Sequence, residues 1–258
     1  MIYIEKSNKI IVMSDIPEHF TGTYYDEDYF KTPKGKKYKD VKGDIHGWSY
    51  ENPDGEWLGA GYIAKAWKTV FDPKNLLDIG AGRGTFIAYA RDSGIEAEGF
   101  DYSHWAVDEG RYQRCKAGWL KWHDATKPWP YRDNSFELGV ALDFYEHIYE
   151  PDIDFVMSEM SRVSSKYIFL EIAVTGSGGL QGEGEGYILK KGKPVPEGLE
   201  GCAVAGHVTV CSENWWLDRL DNYDWFRRRD METHFVSLCP PSVLANWVQN
   251  AIIIMEKM

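Results

Sequence analysis

Residues 74–86 read KNLLDIGAGRGTF. An apolar run at 76–79 stops abruptly at Gly80, Ala81, Gly82, Arg83 and Gly84. A buried strand followed at once by glycines is a strand running into a tight turn. Thr85 then offers a cap for a helix over 86–90. Glycines let the backbone turn sharply and approach a ligand with no Cβ in the way. In an open parallel sheet, ligands lie at the carboxyl ends of the strands. The stretch therefore predicts an α/β sheet with a bound group against Gly80, Ala81, Gly82 and Gly84.

The loop is not a dinucleotide fingerprint, which needs G-x-G-x-x-G. Here the third glycine comes one residue early, and Thr85 stands where that pattern wants glycine. No G-x-x-x-x-G-K-[ST] occurs, so a P-loop is excluded. Asp78 is an acid on the strand just before the turn. Residues 94–101 read as a second strand ending in Asp101, one βαβ step on, at the spacing that brings a carboxylate to ribose hydroxyls. Ser103 can cap the next helix, read over 104–115. Residues 118–123 suggest a third strand, followed by Asp124 and Ala125. Residues 128–137, PWPYRDNSFE, precede a fourth strand at 138–142, which ends in Asp143-Phe144-Tyr145-Glu146-His147-Ile148.

Taken in order, D-I-G-A-G-R-G, the strand-end Asp101, Asp124-Ala125, the PWPYRDNSFE stretch and D-x-x-E-H-I resemble class I S-adenosylmethionine (SAM)-dependent methyltransferases, over roughly residues 58–172. The resemblance is to members associated with glycan and secondary-metabolite pathways. It implies a Rossmann-like fold: a mostly parallel seven-stranded sheet with an antiparallel last strand and helices on both faces. It implies SAM as cofactor and S-adenosylhomocysteine as product. Asp78, Gly80, Ala81, Gly82, Gly84 and Phe86 would then hold the cofactor from the loop. Asp101, Tyr102 and Ser103 would hold it from the second strand, Asp124 and Ala125 at the adenine, and Asp143 and Phe144 at the reactive end.

Composition narrows the partners. The chain has 258 residues, 43% of them hydrophobic, enough for one well-filled α/β domain with additions. No apolar run has membrane-spanning length, and the first residues lack a signal-peptide layout. Cys115, Cys202, Cys211 and Cys239 are scattered, with no C-x-x-C pair, which fits reduced thiols and a cytoplasmic location. The net charge of −11 disfavours a nucleic-acid substrate.

Residues 1–57 read as an N-terminal extension or cap, and 58–258 as the methyltransferase domain. Within the extension, 10–13 is a short strand. Tyr24, Tyr25, Tyr29 and Phe30 either cover the cofactor or form the extension's own core. The basic run at 31–42 reads as a solvated face rather than a phosphate clamp. Helical spacing runs over 60–71, closed by Pro73. An amphipathic helix over 149–163 sets Ile153, Phe155, Val156, Met160 and Val163 on one face, and 167–172 is the fifth strand. Residues 175–206 are glycine-rich without a hydrophobic period and read as a loop or lid. Ser212 caps a helix, and 233–238 and 251–256 read as two closing strands.

Methyl transfer is an in-line displacement that depends on holding the acceptor close and aligned. A hydroxyl acceptor must also lose a proton, which histidine can take near neutral pH. His207, after the glycine-rich stretch, is the first candidate base and His147 the second. No carboxylate pair shows magnesium-type spacing, so no metal is expected. The function expected is methyl transfer to a small molecule, as an O-methyltransferase acting on a sugar or secondary metabolite. The alternatives are a non-catalytic SAM-binding regulator and a protein or peptide methyltransferase.

Overall fold

The computed structural model describes residues 2–5, 10–13, 15–17, 20, 24–30, 36–39, 44–48, 59–175, 186–245 and 250–258. An outlying sheet of four strands, β1 (Ile2–Glu5), β2 (Ile10–Met13), β3 (Lys36–Lys39) and β4 (Ile45–Trp48), comes from the N-terminal part, with the short helix α1 (Glu27–Phe30) between β2 and β3. The expected strand at 10–13 is thus present as β2.

From α2 onward the chain alternates helix and strand. Helix α2 (Ala60–Phe71) buries Ile63, Ala64 and Trp67 on one face and ends with Asp72 at φ 41°, just before Pro73. It leads into β5 (Asn75–Ile79), whose last four residues are all buried. Then follow α3 (Thr85–Asp92), β6 (Glu96–Asp101), α4 (His104–Val107), β7 (Leu120–Trp122) and β8 (Phe136–Leu142). A single 3-10 turn over Tyr145–His147 separates β8 from α5 (Glu150–Val163), which returns to β9 (Ser164–Ala173). A small hairpin, β10 (Gly186–Ile188) with β11 (Thr209–Cys211), encloses α6 (Glu200–Ala205). The chain closes with α7 (Glu213–Leu220), β12 (Trp225–Arg227), α8 (Arg229–Leu238), α9 (Pro241–Leu244) and β13 (Asn250–Lys257).

The main sheet has seven strands in the order β12-β13-β9-β8-β5-β6-β7. β7, β6, β5, β8 and β9 are mutually parallel; β13 is antiparallel to both its neighbours, β9 and β12. The chain order reverses direction at β5, between β6 and β8, and an open sheet of this kind binds its ligand at that switch point. This is the Rossmann-like arrangement expected from the sequence. One core layer packs Trp67, Phe169 and Phe235 between α2, the sheet and α8. A second packs Ile153, Val156, Met160 and Trp216 of α5 and α7 on the other face.

Several local readings need correction. Residues 233–238 are helix, not strand: Met231 and Phe235, four residues apart, are the buried positions of α8. The sixth strand is the three-residue β12, paired with Met255–Lys257. The helix after Ser103 stops at Val107 rather than 115. Gly110 folds back against Trp105, and a Cβ there would lie 2.3 Å from the indole. Thr85 is the first residue of α3, not its cap; Gly84, at φ 77°, holds the cap position without a side-chain bond. Phe155 is exposed, and Met157 takes its place on the buried face of α5. Residues 186–206 are not a loose loop: they hold β10 and α6, with Cys202, Ala203, Val204 and Ala205 buried. Small residues in such short elements leave no readable period. Residues 176–185 lie outside the described residues.

Candidate active site

The carboxyl ends of β5, β6 and β8 open into a cavity of about 430 Å³, within the usual range for small-molecule sites. Gly80 and Gly82 line it with φ of 68° and 52°, a backbone that L side chains rarely adopt. Gly80 needs that freedom for a second reason. A Cβ there would stand 2.4 Å from Cδ2 of Phe144, whose ring also lines the cavity.

Asp101 ties β6 to the glycine turn. Its Oδ2 accepts from the Gly82 N–H at 2.8 Å and its Oδ1 from the Ser103 N–H at 2.7 Å. Each oxygen keeps a lone pair for a further donor. Burial raises the Asp101 carboxyl to about 6, against the pull of those backbone donors. Asp78 sits behind it, 2% exposed, with Oδ2 unpartnered. Burial, then the Asp101 charge, push its carboxyl well up.

Tyr102, Asp124, Ala125, Asp143, Phe144 and His147 also line the cavity. Asp124 is held by its own turn: Oδ1 accepts from the Thr126 N–H at 2.9 Å and its hydroxyl at 2.8 Å. Ser103 caps α4, accepting from the Ala106 N–H at 2.9 Å, and its hydroxyl donates to the Tyr25 carbonyl. It therefore supports the site from behind. Ala81 is buried and donates to the Phe100 carbonyl, and Gly84 backs onto the Cys115 thiol. Phe86 turns away to Trp67, ring centroids 5.6 Å apart. Asp78, Ala81, Gly84, Phe86 and Ser103 thus shape the loop rather than line the cavity.

On the opposite wall the sequence reading singles out Tyr25, Tyr29 and Phe30 but misses Phe20, Tyr149, Asp152 and Lys191. Phe20, Tyr25, Tyr29 and Phe30 reach over from the N-terminal part, and Tyr149, Asp152 and Lys191 complete the rim. The Tyr25 and Tyr29 rings meet edge-on at 4.8 Å, and Phe30 stacks on Trp105 at 5.7 Å. This wall is tied to the segment after β10. The Tyr29 hydroxyl donates to the Ala205 carbonyl, and the Ile16 N–H to that of Lys193. Tyr25, Tyr29 and Phe30 line the cavity, and the rings of the group, Tyr24 included, pack on one another. The basic run at 31–42 has no described side chains.

His147 lines the cavity; His207 is 9% exposed, does not line it, and presents its ring edge-on to His147 at 4.9 Å. The His147 Nδ1 lies 3.1 Å from the Gly206 carbonyl oxygen. A carbonyl only accepts, so Nδ1 carries the proton and Nε2 keeps its lone pair. Gly206, at φ 85°, makes this approach possible: a Cβ there would stand 3.0 Å from Nδ1. Burial lowers the pKa of both rings, that of His207 to about 4, and the neighbouring His207 lowers His147 further. Both imidazoles are neutral at pH 7.

Residues 58–251 match the family model for a methyltransferase domain. The chain belongs to the methyltransferase family. With this fold it is a SAM-dependent methyltransferase, and its cofactor is SAM. The site fits that group, because a positive-φ glycine turn beside a buried carboxylate with free lone pairs suits a ribose and its adjoining chain. No curated protein sequence matches. Among solved structures, the plantazolicin methyltransferase BpumL, bound to a pentazolic desmethylPZN analog and SAH, aligns with TM-score 0.52 at 12% identity, covering 78% of this chain and 83% of that one. A putative methyltransferase in complex with the Haloferax volcanii Trm112 activator aligns at 0.52 and 13%, covering 79% and 90%. The mitomycin 7-O-methyltransferase MmcR aligns at 0.51 and 13%, covering 78% and 54%. At these identities the likeness is one of fold. Among the described residues no helix is long and apolar enough to cross a membrane.

Proposed function

We propose that this methyltransferase moves the methyl group of SAM to a hydroxyl of a small molecule, a sugar or a secondary metabolite. The observation that carries this is the cavity itself. Its floor is the glycine turn with Asp101, and its other wall is aromatic and holds one imidazole with a free nitrogen. Asp101 takes the ribose hydroxyls, Gly80 and Gly82 admit the chain beside them, and Tyr102, Asp124 and Ala125 surround the adenine. Asp143 and Phe144 stand at the reactive end. The aromatic rings flatten and desolvate the acceptor, and His147 Nε2 meets its hydroxyl and aids loss of the proton. His207 is a positioning residue that acts through the His147 ring. Residues 1–57 serve as a cap over this site, and 58–258 as the catalytic domain.

A concave site of this volume favours a small acceptor over a folded protein. Methyl-labelled SAM, purified enzyme and fractionated cell extract decide the class. Label is expected in low-mass material, and a His147→Gln variant should cut kcat while leaving the SAM affinity intact. Label found only in protein, or kcat unchanged in that variant, would refute the reading.

A further inference from the structure

Three polar groups behind the acceptor side of the cavity lack partners or point inward together. Glu146 is 0% exposed and its Oε2 has no hydrogen-bond partner. His207 Nδ1 is likewise buried and unpartnered. His147 offers Nε2, because Nδ1 donates to Gly206. One donor atom from each of Glu146, His147 and His207 lies within 4.8 Å of the other two. Buried polar atoms are nearly always satisfied, and each exception needs a cause. Two such exceptions, Glu146 Oε2 and His207 Nδ1, belong to residues of this cluster.

We propose that Glu146, His147 and His207 form a binding site for a divalent transition-metal ion. Two imidazoles and one carboxylate suit zinc, manganese or cobalt rather than magnesium or calcium, which favour all-oxygen sites. The backbone supports the arrangement. A metal-bound histidine commonly donates its other ring N–H to a carbonyl, which is what His147 does to Gly206. The Glu146 carbonyl in turn accepts from the Val208 N–H at 2.8 Å, binding the two segments that carry the donors. Ligands about 2.1 Å from a metal stand closer together than 4.8 Å, so binding would draw the three side chains inward.

The site adjoins the cavity through His147, and this extension rests on the methyltransferase reading above. A cation held there would supply positive charge beside the acceptor side of the cavity. It would polarise the acceptor's hydroxyl and ease loss of its proton to solvent. The oxygen then forms the new bond to the methyl carbon while the sulfur keeps the pair from the old one. With the cation bound, His147 Nε2 is a ligand and the proton passes to solvent; in the metal-free protein the same nitrogen is free to take it.

The test uses the full chain after chelator treatment, titrated by calorimetry with ZnCl2, MnCl2 and CoCl2, with MgCl2 as control. Uptake of one transition-metal ion per chain is expected. Glu146→Gln and His207→Gln should each weaken it at least tenfold, a loss on the order of that seen when metal-site residues are removed. Binding of S-adenosylhomocysteine is measured in the same samples and should persist in both variants, which also shows that they fold. No stoichiometric uptake of any of the three metals, or an affinity in both variants unchanged from that of the unaltered chain, would overturn the metal site. Loss of S-adenosylhomocysteine binding from the unaltered chain would instead refute the cofactor reading and leave the metal result to stand by itself.

Discussion

Replacing Gly80 with alanine tests whether the glycine turn is built around the cavity or is an ordinary strand end. Gly80 has φ 68°, and its missing Cβ would meet three atoms of the Phe144 ring at 2.4, 3.1 and 3.2 Å. The left-handed backbone costs an alanine roughly 1–2 kcal/mol. Forcing the ring aside adds roughly 1–3 kcal/mol, the usual cost of overpacking. The sum runs over roughly 2–5 kcal/mol and centres on about 3.5 kcal/mol, or roughly 7–14 °C in melting temperature for a chain of this size. Gly94 is the control, with φ 82° and nothing within 4 Å of a Cβ. Its alanine variant carries only the backbone term, about 1.5 kcal/mol and roughly 3–6 °C. Because Phe144 lines the cavity, Gly80→Ala should also weaken S-adenosylhomocysteine binding, whereas Gly94→Ala should not. Thermal melts and calorimetry on the two variants decide it. Equal melting temperatures and equal affinities would refute the reasoning.

Cofactor affinity should depend on pH through Asp101. Ribose hydroxyls donate to the ionised carboxylate, so the bound state keeps it ionised, while the free protein takes up a proton below about pH 6. Affinity therefore falls as pH drops through that value, by about tenfold at pH 5 relative to pH 7. A calorimetric pH series checks this, and Asp101→Asn should bind more weakly with a flatter profile. In the core, Trp67 is fully buried against Phe86 and Phe169. Trp67→Ala should cost roughly 3–5 kcal/mol in denaturant melts. Trp67→Phe should cost less, since the indole Nε1 has no partner to lose.

The half of the cavity proposed to hold the cofactor was legible because its demands are local. A turn that needs positive φ at Gly80 and Gly82 asks for glycine, and an acid closing β6 leaves Asp101 in plain view. The acceptor wall was not legible, because chain-distant segments build it. Phe20, Tyr149 and Lys191 meet only through folding, and nothing in their neighbours marks them. Tyr25, Tyr29 and Phe30 did stand out as an aromatic cluster, but their position over the cavity depends on bonds to carbonyls near Ala205. His207 drew attention by its sequence context, yet burial places it behind His147. Glu146 shows the same limit from the other side. In sequence it is one acid of a motif; only the fold reveals it as buried, with Oε1 accepting from the Ala173 N–H and Oε2 unpartnered. The sixth strand escaped because three residues carry too little alternation, while Thr233, Phe235 and Val236 in α8 imitate a strand.

The most direct measurement is a calorimetric titration of the purified chain with S-adenosylhomocysteine, run beside Asp101→Ala and with NAD as control. Saturable binding of one equivalent, at least tenfold weaker in the variant and absent with NAD, is the predicted result. No binding to the unaltered chain, or binding that ignores the loss of Asp101, would contradict the claim that the cavity at β5, β6 and β8 is the cofactor site.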